Sequence, residues 1–281
     1  MSVTGQVSGG LGNQLFIIFA TIAHAKRQGK AARFRRFLSY GNRGSYWDTL
    51  LRGAAQYVTK ARDPAPSLVY KELEHAYSPI PADADRLEGY FQSPRYFEDR
   101  WAEILGELGL ASMRADVRAR GQALGMFPPD SAASVSVHFR LGDYKWAASH
   151  LLGVNYYRAA LERAVADLGP LTVWCFYETS DAADVATVGD WMRQLGECGA
   201  TIKSVPDLVA GAPAFADWEE LLLMSCCDHH IIANSTFSWW GAYLNDSPGK
   251  RVYRPSGWFG VSDASKHTTR DVCPPEWQAI D

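Results

Sequence analysis

Charge of either sign is not in excess in this 281-residue chain: 28 basic and 31 acidic residues leave a net charge of −3. No global attraction to nucleic acid or to an anionic membrane follows from that balance. Cysteine is sparse and odd in number: Cys175, Cys198, Cys226, Cys227 and Cys273. Their spacing fits neither a disulfide scaffold nor a metal site, so a reduced compartment is expected. Adjacent Cys226 and Cys227 read as small apolar residues ahead of a strand. Long apolar runs are missing too. Leu15–Ala23 follows a glycine-rich turn, has no basic leader and is too short to span a bilayer. The expectation is a cytoplasmic, soluble chain of bacterial or viral type with neither signal peptide nor membrane anchor.

The usual nucleotide loops are absent as well. The segment Gly9–Gln14, GGLGNQ, lacks the lysine of GxxxxGK and is not GxGxxG. His229, His230 and His267 have no carboxylate or cysteine at metal spacing. Asp83-Ala84-Asp85 matches the letters DxD but falls in a Pro/Ala-rich loop, and reads as solvated surface. No metal is expected. No internal repeat or low-complexity segment is found.

What is present is a globular composition, 47% hydrophobic and 12% aromatic, with strands and helices alternating along it. Val3–Val7 reads as a strand. A glycine turn and a helix over Asn13–Gln28 follow, the helix carrying Leu15, Ile18, Phe19, Ile22 and Ala23 on one face. Ala31–Phe37 is a second strand. The basic run Lys26–Arg36, KRQGKAARFRR, fits the solvated end of that helix and an edge strand better than a nucleic-acid patch. Ser39–Pro94 reads as irregular and Glu98–Leu124 as helical, with a break near Gly109–Leu110. FPPDS at Phe127–Ser131 is the clearest linker. Beyond it the pattern restarts: strands at Ser134–Phe139, Leu171–Tyr177, Thr201–Val205 and His230–Ala233, helices at Asn155–Leu168, Val185–Leu195 and Trp218–Cys227. The pattern implies α/β, in two halves joined near residue 130.

Three motifs sit at strand ends, where open α/β sheets bind ligands. The first is the GGLGNQ loop, with close backbone approach at Gly10 and Gly12 and the carboxamide of Asn13. Val135–Tyr144, VSVHFRLGDY, is an alternating strand ending in His138, Arg140, Asp143 and Tyr144. His138 and Arg140, two apart, should point the same way. A fixed guanidinium suits a diphosphate, or Arg140 ties off the strand against Asp143. Asp143 is a possible base, or it holds Arg140 or caps the turn. The third is IIANSTFSWWGAYL at Ile231–Leu244. Asn234, Ser235 and Thr236 stand where a capped helix could begin and hold an anion, and Trp239 and Trp240 brace the turn.

GGLGNQ, HFRLGDY and NSTFSWWGAYL, in that order, resemble glycosyltransferase family 11, the α-1,2-fucosyltransferases. YFQS at Tyr90–Ser93 and LMSCCDHHIIANSTFSWWGAYLN at Leu223–Asn245 add to the resemblance, which runs from about Gly9 to Trp258. It implies a GT-B-like fold of two Rossmann-like domains facing a central cleft, the acceptor-side domain first at 1–130 and the GDP-sugar-binding domain second at 131–281, a division that the two halves suit. It implies inverting, metal-independent transfer of fucose from GDP-β-L-fucose to a glycan hydroxyl, forming an α-1,2 linkage to galactose or a related sugar, with no cofactor. By the resemblance Arg140 contacts the donor diphosphate and His138 orients it. Asn13 faces the reaction centre, and Ser235, Thr236 and Phe237 hold the diphosphate and nucleoside. Leu141 stands at the variable second-arginine position, so a two-arginine clamp is not available. Ser180–Asp181 aligns loosely with an S-D-D pattern, with Ala182 in place of the second aspartate, and makes Asp181 a candidate guanine or ribose ligand. The alternatives are a transferase of the same fold with another GDP-sugar or linkage, a catalytically inactive nucleotide- or glycan-binding module, and a basic-patch nucleic-acid binder.

Overall fold

The computed structural model describes residues 2–37, 39–40, 43–61, 65–128, 132–142, 151–259 and 268–281. The chain forms two compact units, Met1–Met113 with His267–Pro275, and Arg114–Lys266 with Glu276–Asp281.

The first unit opens with strand β1 (Ser2–Gly5), helix α1 (Leu11–Arg27) and strand β2 (Ala31–Arg35), within two residues of the predicted bounds. Residues 39–94, which carry no periodic signal, nonetheless supply five strands: the hairpin β3 (Ser39–Tyr40) and β4 (Arg43–Gly44), then β5 (Val58–Thr59), β6 (Val69–Lys71) and β7 (Arg86–Glu88). They are two or three residues long, too short to show an alternation. The main sheet has the order β5-β2-β1-β7-β6 and all its pairings are parallel. Helix α1 is buried all round rather than on one face, including Gln14, Thr21 and His24. Its outer side is covered by aromatics: Phe19 lies 5.5 Å from both the Phe97 and the Trp101 ring. A helix enclosed on every side is apolar all round.

Helices α2 (Trp101–Leu108) and α3 (Leu110–Ala123) break at Gly109, which is left-handed at φ +66°, as a helix C-terminus favours. The composition break predicts a boundary near residue 130, whereas the units divide inside α3. The reason lies in three arginines. Arg114 donates to Asp246 and the Ser225 carbonyl, Arg118 to the Cys226 carbonyl, and Arg120 to Glu219 and the Ala214 carbonyl. These bonds tie the rest of α3 to the second unit. Residues 268–275 return to the first, where Asp271 accepts from Arg95 Nη1 and the Tyr77 amide.

The second unit follows the predicted alternation closely. It comprises β8 (Ala133–His138), α4 (Val154–Leu168), β9 (Leu171–Phe176), α5 (Ala182–Gly196), β10 (Thr201–Ser204), α6 (Val205–Leu208), α7 (Asp217–Met224), β11 (His229–Ile231), α8 (Thr236–Tyr243), β12 (Val252–Pro255) and β13 (Gln278–Ile280). No expected element corresponds to α6, β12 or β13. The sheet order is β10-β9-β8-β11-β12-β13, parallel throughout. In order of appearance that is 3-2-1-4-5-6, the doubly wound order whose connections reverse between the first and fourth strands. Here the reversal lies between β8 and β11. Val135, Val137, Val173, Cys175 and Ile231 fill the core beneath α4 and α5 with Tyr157 and Leu161. Leu141 is also in that core, so an arginine there would have to be buried.

Candidate functional site

In the second unit the carboxyl ends of β8 and β11 lie side by side, because His229 pairs with Val135 and Ile231 with Val137. A buried polar bridge fixes this spacing. The His230 ring bonds the Ser136 hydroxyl through Nδ1 at 2.7 Å and the Asn245 amide through Nε2 at 2.9 Å. Asn245 Nδ2 can only donate, so Nε2 accepts and the ring is neutral, its proton on Nδ1. Burial and the nearby Lys250 hold the His230 pKa well below its ordinary value.

Beyond β11 the chain turns through Asn234 into α8. Ser235 is its N-cap, the hydroxyl accepting from the Phe237 amide at 3.4 Å, as predicted for this turn. The bracing is also as predicted: Trp239 and Trp240 are buried, and Trp239 stacks on Tyr243 at 4.4 Å. Thr236 and Phe237 form the half-buried first turn of α8. At its other end Lys250 Nζ donates to the Ala242 carbonyl at 2.9 Å, and burial pulls this lysine down to about 8.

The strand end of β8 meets the start of α8. The His138 ring lies 5.3 Å from the Phe237 ring and is only 6% exposed. Its Nδ1 is buried with no hydrogen-bond partner among the described residues. Burial first, and then the Arg140 charge, lower its pKa to about 3, so the imidazole is neutral at physiological pH. Arg140 Nη1 donates to Glu178 Oε1 at 2.6 Å. Glu178 lies just past the end of β9, the strand beside β8. The alternative partner, Asp143, lies outside the described residues, as do Tyr144, His267 and most of the loop after Asp143.

Asp181 caps α5, its carboxylate accepting from the Ala183 and Asp184 amides at 2.8 and 3.4 Å. Glu178 and Asp181 are both exposed beyond β9, and Glu178, which bonds Arg140, belongs to none of the three motifs. The usable signal was its place just beyond a predicted strand. Glu220 on α7 was also missed: burial, with the Asp217 and Glu178 charges, raises it to about 7.

The GGLGNQ loop belongs to the first unit. Gly9 is the position that requires glycine, at φ +78°, where a Cβ would stand 2.8 Å from Asn13 Nδ2. A Cβ at Gly10 would meet nothing within 4 Å, so no close approach among the described residues requires glycine there. Gly12 is buried in the first turn of α1, where Asn13 is half-buried. Gln92 of YFQS donates to Asn13 Oδ1 at 3.0 Å, joining two motifs 79 residues apart. The YFQS turn is itself strained, Phe91 having φ +54°. Glu72 holds it, one carboxylate oxygen accepting from the Tyr90 and Phe91 amides at 2.8 and 2.7 Å. Nothing in the local sequence around Glu72 announces that role. Asp83 is exposed, as expected for this loop, and half-buried Asp85 accepts from the Ser67 and Leu68 amides.

Among the described residues no helix is long and apolar enough to cross a membrane. The family model described as Glycosyl transferase family 11 matches residues 56–281. The chain is 25% identical over 193 residues to the Alpha-1,2-colitosyltransferase of Escherichia coli, covering 69% of this chain and 61% of that protein. It is 26% identical over 213 residues to the Galactoside alpha-(1,2)-fucosyltransferase 2 of Oryctolagus cuniculus, covering 68% of this chain and 57% of that one. The chain thus spans about three-fifths of the length of these curated relatives. Among solved structures, the fucosyltransferase NodZ from Bradyrhizobium superposes with a TM-score of 0.51 at 12% identity, covering 92% of this chain and 96% of that one. That likeness concerns fold alone, and the fold is α/β and GT-B-like.

Proposed function

The chain belongs to glycosyl transferase family 11, and from that premise we propose that it is an inverting, metal-independent fucosyltransferase. It moves L-fucose from GDP-β-L-fucose to a glycan hydroxyl, forming an α-1,2 linkage to galactose or a related sugar. One observation carries the reading. At the 3-2-1-4-5-6 reversal of the second unit, the β8 strand end with His138 and Arg140 meets the Ser235-capped N-terminus of α8.

Departure of GDP leaves negative charge on the diphosphate as the sugar gains oxocarbenium character. Arg140 stays cationic throughout and donates in a planar fork that matches phosphate oxygens, and Glu178 holds its Nη1. The amides opening α8 add the positive end of a helix dipole. Both act where the charge develops. Neutral His138 is a hydrogen-bonding partner rather than a second cation, and a ligand oxygen would satisfy its buried Nδ1. Asn13, aligned by Gln92, presents its carboxamide to the reacting sugars. Proton loss from the acceptor comes late, to the departing phosphate.

A second reading keeps the site and changes the donor to another GDP-sugar, motivated by the colitosyltransferase among the relatives. Titration of GDP into the protein and into Arg140→Ala, with and without EDTA, tests the common core. EDTA-insensitive binding that the variant loses supports it. A folded protein that does not bind GDP removes it. A panel of GDP-sugars then separates the two donors.

A further inference from the structure

Among the described residues, the Asn13 carboxamide bonds one other side chain, that of Gln92, whose Nε2 donates to Asn13 Oδ1 at 3.0 Å. We propose that Gln92 is a positioning residue for transfer: it claims the Asn13 oxygen, so that the Asn13 NH2 group faces the ligand as a donor. The proposal rests on the fucosyltransferase reading and deepens it.

Polarity comes first. A carboxamide carries an acceptor oxygen and a donor NH2 group, and half a turn exchanges them. Which of the two meets a ligand is therefore set by what holds the other. The Gln92 bond occupies Oδ1, and among the described residues nothing accepts from Asn13 Nδ2. Nδ2 lies over the glycine turn, 2.8 Å from where a Cβ at Gly9 would stand, so that turn keeps side-chain atoms off it. Turning the Gln92 amide alone would set two oxygens face to face. Turning both amides would bury the Gln92 NH2 group where Oε1 now sits without a hydrogen-bond partner. A buried N–H without a partner is the rarer defect of the two.

Rigidity comes second. Gln92 is 6% exposed, and its backbone is fixed from both sides. Before it, one Glu72 oxygen accepts from the Tyr90 and Phe91 amides at 2.8 and 2.7 Å. Glu72 packs so closely that a Cβ at Gly89 would stand 2.5 Å from its own Cβ. After it, the Ser93 amide donates to the Phe91 carbonyl at 2.7 Å, closing a three-residue turn centred on Gln92. Phe91 is fully buried, edge-on to Tyr96 at 5.2 Å, yet it holds φ +54°, which side chains rarely tolerate. Backbone strain persists only where the surroundings over-determine it, and it clusters at functional sites. Here the strained turn delivers one buried amide to a residue 79 positions away.

The test uses the full chain and measures GDP release from GDP-fucose, with methyl β-galactoside as the acceptor probe. Gln92→Glu keeps the size and reverses the polarity: an ionised carboxylate accepts from Asn13 Nδ2 and turns the carboxamide over, its oxygen toward the ligand. Near pH 8 kcat is expected to fall about tenfold or more, with KM for GDP-fucose little changed. Burial raises the pKa of a carboxyl group, and once protonated it donates to Asn13 Oδ1 as glutamine does. The deficit should therefore shrink on acidification to about pH 5.5. Glu72 is present in both proteins, so the quantity read is the ratio of variant to wild-type kcat. A purely structural role lowers the melting temperature without that recovery. Gln92→Met, neutral and close in size, should lose rate at both pH values, and it serves if Gln92→Glu does not fold. Wild-type kcat in Gln92→Met, or a Gln92→Glu ratio that does not change with pH, overturns the proposal while GDP release by wild type upholds the transferase reading. If wild type releases no GDP from GDP-fucose, the transferase reading fails. Hydrogen exchange of the two side-chain amides then still decides the geometry: slow exchange at Gln92 and fast exchange at Asn13 is expected, and the reverse overturns it.

Discussion

Replacing His138 with asparagine should flatten the acid sensitivity of this protein by a calculable amount. The imidazole is 6% exposed and its pKa is lowered to about 3, whereas an unfolded histidine titrates near 6.5. A depressed histidine favours the fold above the unfolded pKa, because neither state then carries the proton. As pH falls below about 6.5 the unfolded chain takes up a proton that the native state refuses, and stability is lost. Between pH 7.5 and pH 5 the linkage integral comes to about 2 kcal/mol for this one residue. Glu220 acts in the opposite sense: its pKa, raised to about 7, makes acidification favour the fold. The informative quantity is therefore the difference between wild type and His138→Asn, each unfolded in urea at both pH values. Wild type should lose about 2 kcal/mol more than the variant over that interval. Equal losses, within about 0.5 kcal/mol, would refute the reasoning. A nuclear magnetic resonance titration of the wild-type ring gives an independent check, since a pKa above 5 would contradict the burial argument.

Four further expectations follow from particular contacts. Arg140→Lys should weaken GDP binding by roughly tenfold or more, since a lysine lacks the planar fork, and calorimetry reads the change directly. Gly9→Ala should cost about 1–3 kcal/mol, because φ +78° disfavours a side chain and the new Cβ would press on Asn13 Nδ2; transfer rate should fall with the melting temperature. Glu72→Ala leaves the Tyr90 and Phe91 amides without their acceptor, and should lower stability by roughly 2 kcal/mol or more in denaturant titrations. Gly241→Ala would put a Cβ 2.5 Å from Met224 Sδ and 3.2 Å from its Cβ, so the α7–α8 packing must shift. A loss of about 1–3 kcal/mol is expected there, and a neutral variant would show that Met224 moves aside freely.

Local chemistry determined much of this protein from sequence alone. The period of Leu15, Ile18, Phe19 and Ile22 specified α1, the alternation of Val135 and Val137 specified β8, and the hydroxyl of Ser235 specified where α8 begins. The strand ends that carry the motifs were legible for the same reason, since motif and strand are neighbours in the chain. Only the tertiary structure decided who partners whom. Arg140 pairs with Glu178, 38 residues on, and Gln92 reaches Asn13 across 79. Asp181, a candidate ligand by its motif, has one carboxylate oxygen on the two amides that open α5. The unit boundary moved into α3 because Arg114, Arg118 and Arg120 find carbonyls and carboxylates more than 90 residues away. Periodicity and capping act over a few residues, so the sequence displays them. The sheet order that brings β8 beside β11 depends on pairings between distant segments, and no local pattern encodes those.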